Sequence, residues 1–131
     1  MGSWTFLDFV DVGGGNPISE WLSDRKEVPI KAKAKIDRIL LQLADTPLWV
    51  RPLTSNLDGY NGIIEIRIQY MNVLYRLLGF RGPQEAQFTL LFPAREQGDE
   101  FVPRNAPVTA QNRMNAVIAD PVRRTCEHSF G

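Results

Sequence analysis

Apolar and polar positions change period several times along this chain, and each change marks an element. The run Trp4-Thr5-Phe6-Leu7-Asp8-Phe9-Val10-Asp11-Val12 alternates, with Trp4, Phe6 and Asp8 on one side and Leu7 and Phe9 on the other. That pattern predicts an opening strand, ended by Gly13-Gly14-Gly15. Asn16 then offers an N-cap with Pro17 at the first helical position, which starts a short helix through Ile18, Trp21 and Leu22. From Pro29 the period becomes helical for longer: Ile36, Ile39, Leu40 and Leu43 form one stripe, Lys31, Lys35 and Arg38 lie largely outside it, and Pro47 stops it.

A loop with Asn56, Asp58, Gly59, Asn61 and Gly62 follows, and the period then drops to two. Ile63–Tyr70 and Val73–Phe80 read as consecutive strands, Arg81-Gly82-Pro83 as a turn, and Gln87–Phe92 as a third strand ended by Pro93. Pro107 introduces a last helix carrying Ala110, Met114, Val117 and Ile118, and Pro121 ends it. The predicted class is α+β: an N-terminal strand, a two-helix insert, a three-stranded antiparallel meander and a C-terminal helix. One domain over residues 1–131 is expected, with its core at about 4–119 and a flexible tail at 120–131.

The two-strand hairpin carries the most informative placement. With Met71-Asn72 as a two-residue loop, Tyr70 faces Val73 and Arg67 falls directly opposite Arg76. Ile64, Ile66 and Ile68 then share the other face with Tyr75 and Leu77, so one face builds core and the other presents charge. A longer loop would slide the register and turn the arginines to opposite faces. Facing like charges are destabilising, so such a pair calls for an anion or a neighbouring carboxylate; Glu65, two residues before Arg67, makes an ordinary surface salt bridge the plainer reading.

Composition narrows the function classes. Fifteen basic residues balance fifteen acidic ones, which argues against binding nucleic acid by bulk charge. Lysine is confined to the first 35 residues, and from there every Lys/Arg position is Arg, the side chain suited to bidentate phosphate contact. A locally basic sheet is therefore expected from Arg67, Arg76, Arg81 and Arg95. The lone Cys126 suggests a reducing compartment, and with neither a membrane-length apolar run nor a secretion-type N-terminus, a soluble cytoplasmic protein is expected. A single histidine and a single cysteine offer no metal-ligand cluster. The glycine triplet lacks the Lys-Ser/Thr of a phosphate-binding loop. No metal and no cofactor are expected.

The stretch Pro52-Leu53, then Leu57-Asp58-Gly59-Tyr60-Asn61-Gly62-Ile63-Ile64-Glu65-Ile66-Arg67-Ile68, then Tyr75-Arg76 and a third apolar strand, resembles the phage-derived RelE/HigB-like toxin family. The resemblance extends over about Phe6 to Ile118. It implies a twisted antiparallel sheet with helices packed behind, and a toxin of a type II toxin–antitoxin pair. The implied activity is metal-independent cleavage of mRNA, in many members on the ribosome, by attack of the ribose 2′-OH on the adjacent phosphate. The implied partners are a cognate antitoxin, mRNA and the ribosome, with no membrane.

On this resemblance Arg67 and Arg76 are the phosphate clamp and Arg95, just past the third strand, is a third catalytic cation. Tyr60, in the loop, and Arg81 are the RNA-binding residues. The family's short basic motif is depleted here to Pro93-Ala94-Arg95-Glu96-Gln97-Gly98-Asp99-Glu100. No acid or base is assigned: His128 reads as a solvated tail residue, and Tyr70 and Tyr75 as half-buried core. Two alternatives stand beside the nuclease: a gyrase-blocking toxin of the related ParE branch, and an inactive phage-derived binding module. Arg67→Ala and Arg76→Ala are each expected to leave folding near wild type, because the clamp face is read as lying outside the core.

Overall fold

The structure of the chain, a computed structural model, describes residues 3–131. Its elements in chain order are β1 (Thr5–Phe9), α1 (Pro17–Ser23), α2 (Ile30–Ala44), β2 (Thr54–Asn56), β3 (Ile64–Tyr70), β4 (Val73–Arg81), β5 (Gln87–Gln97), β6 (Glu100–Val102), α3 (Ala106–Ala119), α4 (Pro121–Arg124) and β7 (Thr125–Glu127). The seven strands form one mixed sheet in the order β2-β3-β4-β5-β1-β7, with β6 added to β5. The fold is thus α+β. No helix among the described residues is long and apolar enough to cross a membrane.

The helices begin where local chemistry places them. Asn16 caps α1, its side chain accepting the Ser19 N–H at 2.9 Å, with Pro17 at the first helical position. In α2 the residues Ala32, Ile36, Leu40 and Leu43 are buried, while Ile39 is only partly covered. Both helices pack on one face of the sheet, against Phe6, Ile64, Ile66, Ile68, Tyr75, Leu77, Phe88 and Leu90. Fully burying one such aliphatic side chain contributes about 1.5–3 kcal/mol, so this layer fixes the register of the hairpin beneath it.

The opposite face is only partly covered. α3 lays Ala106, Ala110 and Val117 over Phe9, Leu78, Phe80, Leu91 and Ala94, making a second apolar cluster. A bulge between Leu78 and Gly79 shifts the β4–β5 register there. Gly79 is needed at that point, since a Cβ would run into the Phe88 ring and the Thr89 carbonyl. The part of this face towards the β3–β4 hairpin has no helix above it, and it carries Glu65, Arg67 and Arg76.

Two expectations need correction. β5 does not stop at Phe92 but runs through Pro93 to Gln97. Pairing with β1 ends at Leu90 and pairing with β6 begins at Arg95, so at Pro93 one edge of the strand has no partner and a missing N–H costs nothing. β1 is interior to the sheet, between β5 and β7, and Phe6, Leu7, Asp8 and Phe9 are all buried.

The second correction concerns residues 120–131, read as a flexible tail. They form α4 and then β7, which pairs antiparallel with β1 through Leu7–Glu127, Asp8–Cys126 and Phe9–Thr125. His128 is buried, its Nδ1 2.7 Å from Asp8 Oδ1, while Asn16 donates to Asp8 Oδ2 at 2.9 Å. Asp8, an alternating polar position in the sequence, is in fact the buried anchor of the chain's end. The Cys126 thiol beside it is pushed up by burial and then by the Asp8 carboxylate.

Losing a buried hydrogen-bond partner costs about 1–3 kcal/mol, and more where a cavity is left. His128→Ala is therefore expected to lower the urea midpoint of unfolding by an amount worth about 2–3 kcal/mol with the slope unchanged. An unshifted midpoint would mean that the strap does not stabilise the fold.

Candidate functional site: a carboxylate between two arginines

The hairpin register is Tyr70–Val73, Ile68–Tyr75, Arg67–Arg76 and Glu65–Leu78, so the arginines occupy facing positions on one face. The tight turn is made by Met71 in the left-handed region, φ 53°, without a glycine. Because β3 lies between β2 and β4, Glu65 is flanked on both sides, with Ser55 of β2 as its other cross-strand neighbour.

Glu65 is the centre of the group. Its Oε2 accepts from Arg76 Nε at 2.8 Å and also from Arg76 Nη2. Its Oε1 accepts from Ser55 Oγ at 3.1 Å and from Arg67 Nη1 at 3.3 Å. The Glu65 side chain is 7% exposed, Arg76 10% and Arg67 37%. Arg76 is further held by Glu96 Oε1, 3.2 Å from its Nη1, and by the Phe101 ring, whose centroid is 3.7 Å from its guanidinium carbon. Arg76 is thus saturated with protein partners, whereas Arg67 has one ion pair and an open side.

These groups floor an open cleft of about 520 Å³, walled by Arg51, Pro52, Ser55, Asn56, Leu57, Asp58, Asp99 and Phe101. The cleft mixes Arg51, Arg67 and Arg76 with Asp58, Glu65 and Asp99, so it is charge-balanced. The expected basic sheet does not form.

Arg95 does not join this group. It lies within β5, opposite Tyr75, and therefore on the helix-bearing face, where its Nε is 3.7 Å from Glu27 Oε2. In the sequence Pro93 reads as the strand's end and leaves Arg95 past it; the continuation of the strand to Gln97 sets its side. Tyr75 is buried on that same face with its hydroxyl 3.5 Å from the Glu27 carbonyl, and desolvation pushes its phenol up. Tyr70 packs against the same core. His128 sits with Asp8, away from the cleft.

Tyr60 and Arg81 are brought together in a second open cleft of about 640 Å³ that shares Asn56, Leu57 and Asp58 with the first. Tyr60 is half-buried against the α3-side cluster, and Arg81 is exposed, with its guanidinium 5.6 Å from the Trp4 ring and 5.8 Å from the Trp49 ring. Among the described residues no group of three His, Cys, Asp or Glu is placed to hold a metal ion.

The sequence reading missed Glu65 as more than a salt-bridge partner, and missed Glu96 and Phe101 entirely. The first was visible, since Glu65 and Arg67 share a face whenever Arg67 faces Arg76. Glu96 follows only from the continuation of β5 past Pro93, and Phe101 only from the return of β6 onto β5.

Removing one member of a buried ion pair costs about 3–5 kcal/mol, whereas a half-exposed pair is worth under about 1 kcal/mol. Thermal or urea unfolding is therefore expected to show Arg76→Ala strongly destabilised and Arg67→Ala near wild type, in place of the equal tolerance read from the sequence. Equal midpoints for the two variants would contradict this division of roles.

Comparison with family models, with curated proteins and with solved structures finds no match to this chain.

Proposed function

We propose that the chain is a RelE/HigB-like toxin of a type II toxin–antitoxin pair, acting on mRNA at the ribosome as a metal-independent endoribonuclease. The observation that carries this reading is the Glu65 carboxylate held against Arg67 and Arg76 on the floor of an open cleft. The order of elements also supports it, with β1, the α1–α2 pair, the β3–β5 meander and α3 in the sequence that the resemblance implies.

RNA transesterification needs a base for the 2′-OH and positive charge for the phosphorane. In this scheme Glu65 takes the 2′-OH proton, the 2′ oxygen bonds to phosphorus, and the 5′ oxygen departs, leaving a 2′,3′-cyclic phosphate. Arg67 supplies its unpaired N–H groups to the phosphoryl oxygens. Arg76 acts as a positioning residue that fixes the carboxylate. The cleft holds no histidine, so the leaving 5′ oxygen takes its proton from solvent, and a missing general acid is worth about 10²–10⁴-fold in rate. Cleavage by the isolated protein is accordingly slow.

The saturation of Arg76 by Glu65, Glu96 and Phe101 favours a second reading, a binding module that grips its antitoxin through this face without activity.

Induction in bacteria with mapping of mRNA 5′ ends separates the readings. The nuclease gives codon-proximal cuts; Glu65→Gln and Arg67→Ala each reduce them about 10²-fold or more when compared at matched levels of folded protein. A DNA-damage response without cuts would identify a gyrase poison instead, and no effect on cuts or growth would leave the binding module.

A further inference from the structure

We infer that the cleft walled by Tyr60 and Asp58 is a base-reading subsite for guanine, seated beside the phosphate held at Arg67; the inference rests on the nuclease reading of the neighbouring cleft. The two clefts share Asn56, Leu57 and Asp58 as walls. Asp58 and Arg67 both line the first cleft, and Asp58 also lines the second. A phosphate at Arg67 therefore lies in the same cleft as the Asp58 carboxylate that would meet its base.

The loop has the chemistry to read a base edge. Its internal bonds are Leu57 N–H to the Ile63 carbonyl, Tyr60 N–H to Leu57 and Ile63 N–H to Tyr60. The N–H groups of Asp58, Gly59, Asn61 and Gly62, and the Asp58 carboxylate, are bonded to no acceptor or donor among the described residues. Gly59 has φ 82°, and the space where its Cβ would stand is open, so the backbone there is approachable. Tyr60, fixed by packing on the α3-side cluster, supplies a rigid ring for stacking.

Guanine alone presents two adjacent donors, N1–H and N2–H, next to the O6 acceptor. A carboxylate accepts both donors while a loop N–H reaches O6. Adenine and cytosine would turn a ring-nitrogen acceptor towards the Asp58 carboxylate, and uracil offers a single donor between two carbonyls. The carboxylate therefore selects against the other three bases as well as for guanine.

Calorimetric titration of the purified protein with 3′-GMP, 3′-AMP, 3′-CMP and 3′-UMP in EDTA tests the assignment without requiring cleavage. The expected result is 3′-GMP binding at least tenfold tighter than the other three, with Asp58→Asn erasing the preference. Binding of all four within twofold, a preference that survives Asp58→Asn, or no binding of any would overturn it. Scoring RNA cleavage by the same wild-type protein, free and in the presence of ribosomes, keeps the two readings apart. Cleavage without base preference removes the subsite and leaves the nuclease, whereas guanine selectivity without cleavage keeps the subsite and removes the nuclease.

Discussion

Two guanidiniums on facing positions of neighbouring strands repel each other, and the Glu65 carboxylate makes the Arg67–Arg76 pairing tenable. It does so from a position 7% exposed, where a carboxylate without partners would be costly. The arginines and the acid therefore require one another, and Ser55 and Glu96 complete the set of bonds. This arrangement depends on hairpin register, and register depends on the apolar layer of Ile64, Ile66, Ile68, Tyr75 and Leu77 under α1 and α2. A slip of one residue would bury charge against the helices. The core on one face thus enforces the site on the other.

The coverage of that second face explains where chemistry is available. α3 seals the half above Leu78, Phe80 and Leu91, and the hairpin half stays open as the cleft. Within it the two arginines have become unequal. Arg76, wedged between two carboxylates and an aromatic ring, is part of the framework, while Arg67 keeps donors turned to solvent. In the proposed scheme, a base held by a framework arginine, beside a second arginine with free donors, suits charge developing on phosphorus.

Much of this was legible because strand periodicity is strict. The alternation of Ile64, Ile66 and Ile68, with the two-residue Met71-Asn72 loop, fixes which side chains face each other, and the structure has that register. The N-cap at Asn16 and the apolar stripe of α2 were equally plain. What was not legible came from elements too short or too irregular to carry a period. Thr125–Glu127 is a three-residue polar edge strand, so nothing in it announces pairing with β1, and His128 was consequently misread as solvated. Pro93 mimics a strand end but sits where one edge of β5 is unpartnered, and that error put Arg95 on the wrong side. The same continuation delivers Glu96 and Phe101 to Arg76, contacts with no local sequence pattern behind them.

In the proposed scheme the end of β2 and the loop after it join phosphate chemistry to base contact, since Asn56 and Asp58 wall both clefts. The central claim is that Glu65 acts as the base of a metal-free transesterification. Mass spectrometry of RNA fragments formed by the purified protein in EDTA, free and in the presence of ribosomes, tests it most directly. The account predicts 2′,3′-cyclic phosphate and 5′-hydroxyl ends from the wild type and none from a folded Glu65→Gln variant. Fragments with the same ends and yield from Glu65→Gln, or intact RNA under both conditions, would contradict it.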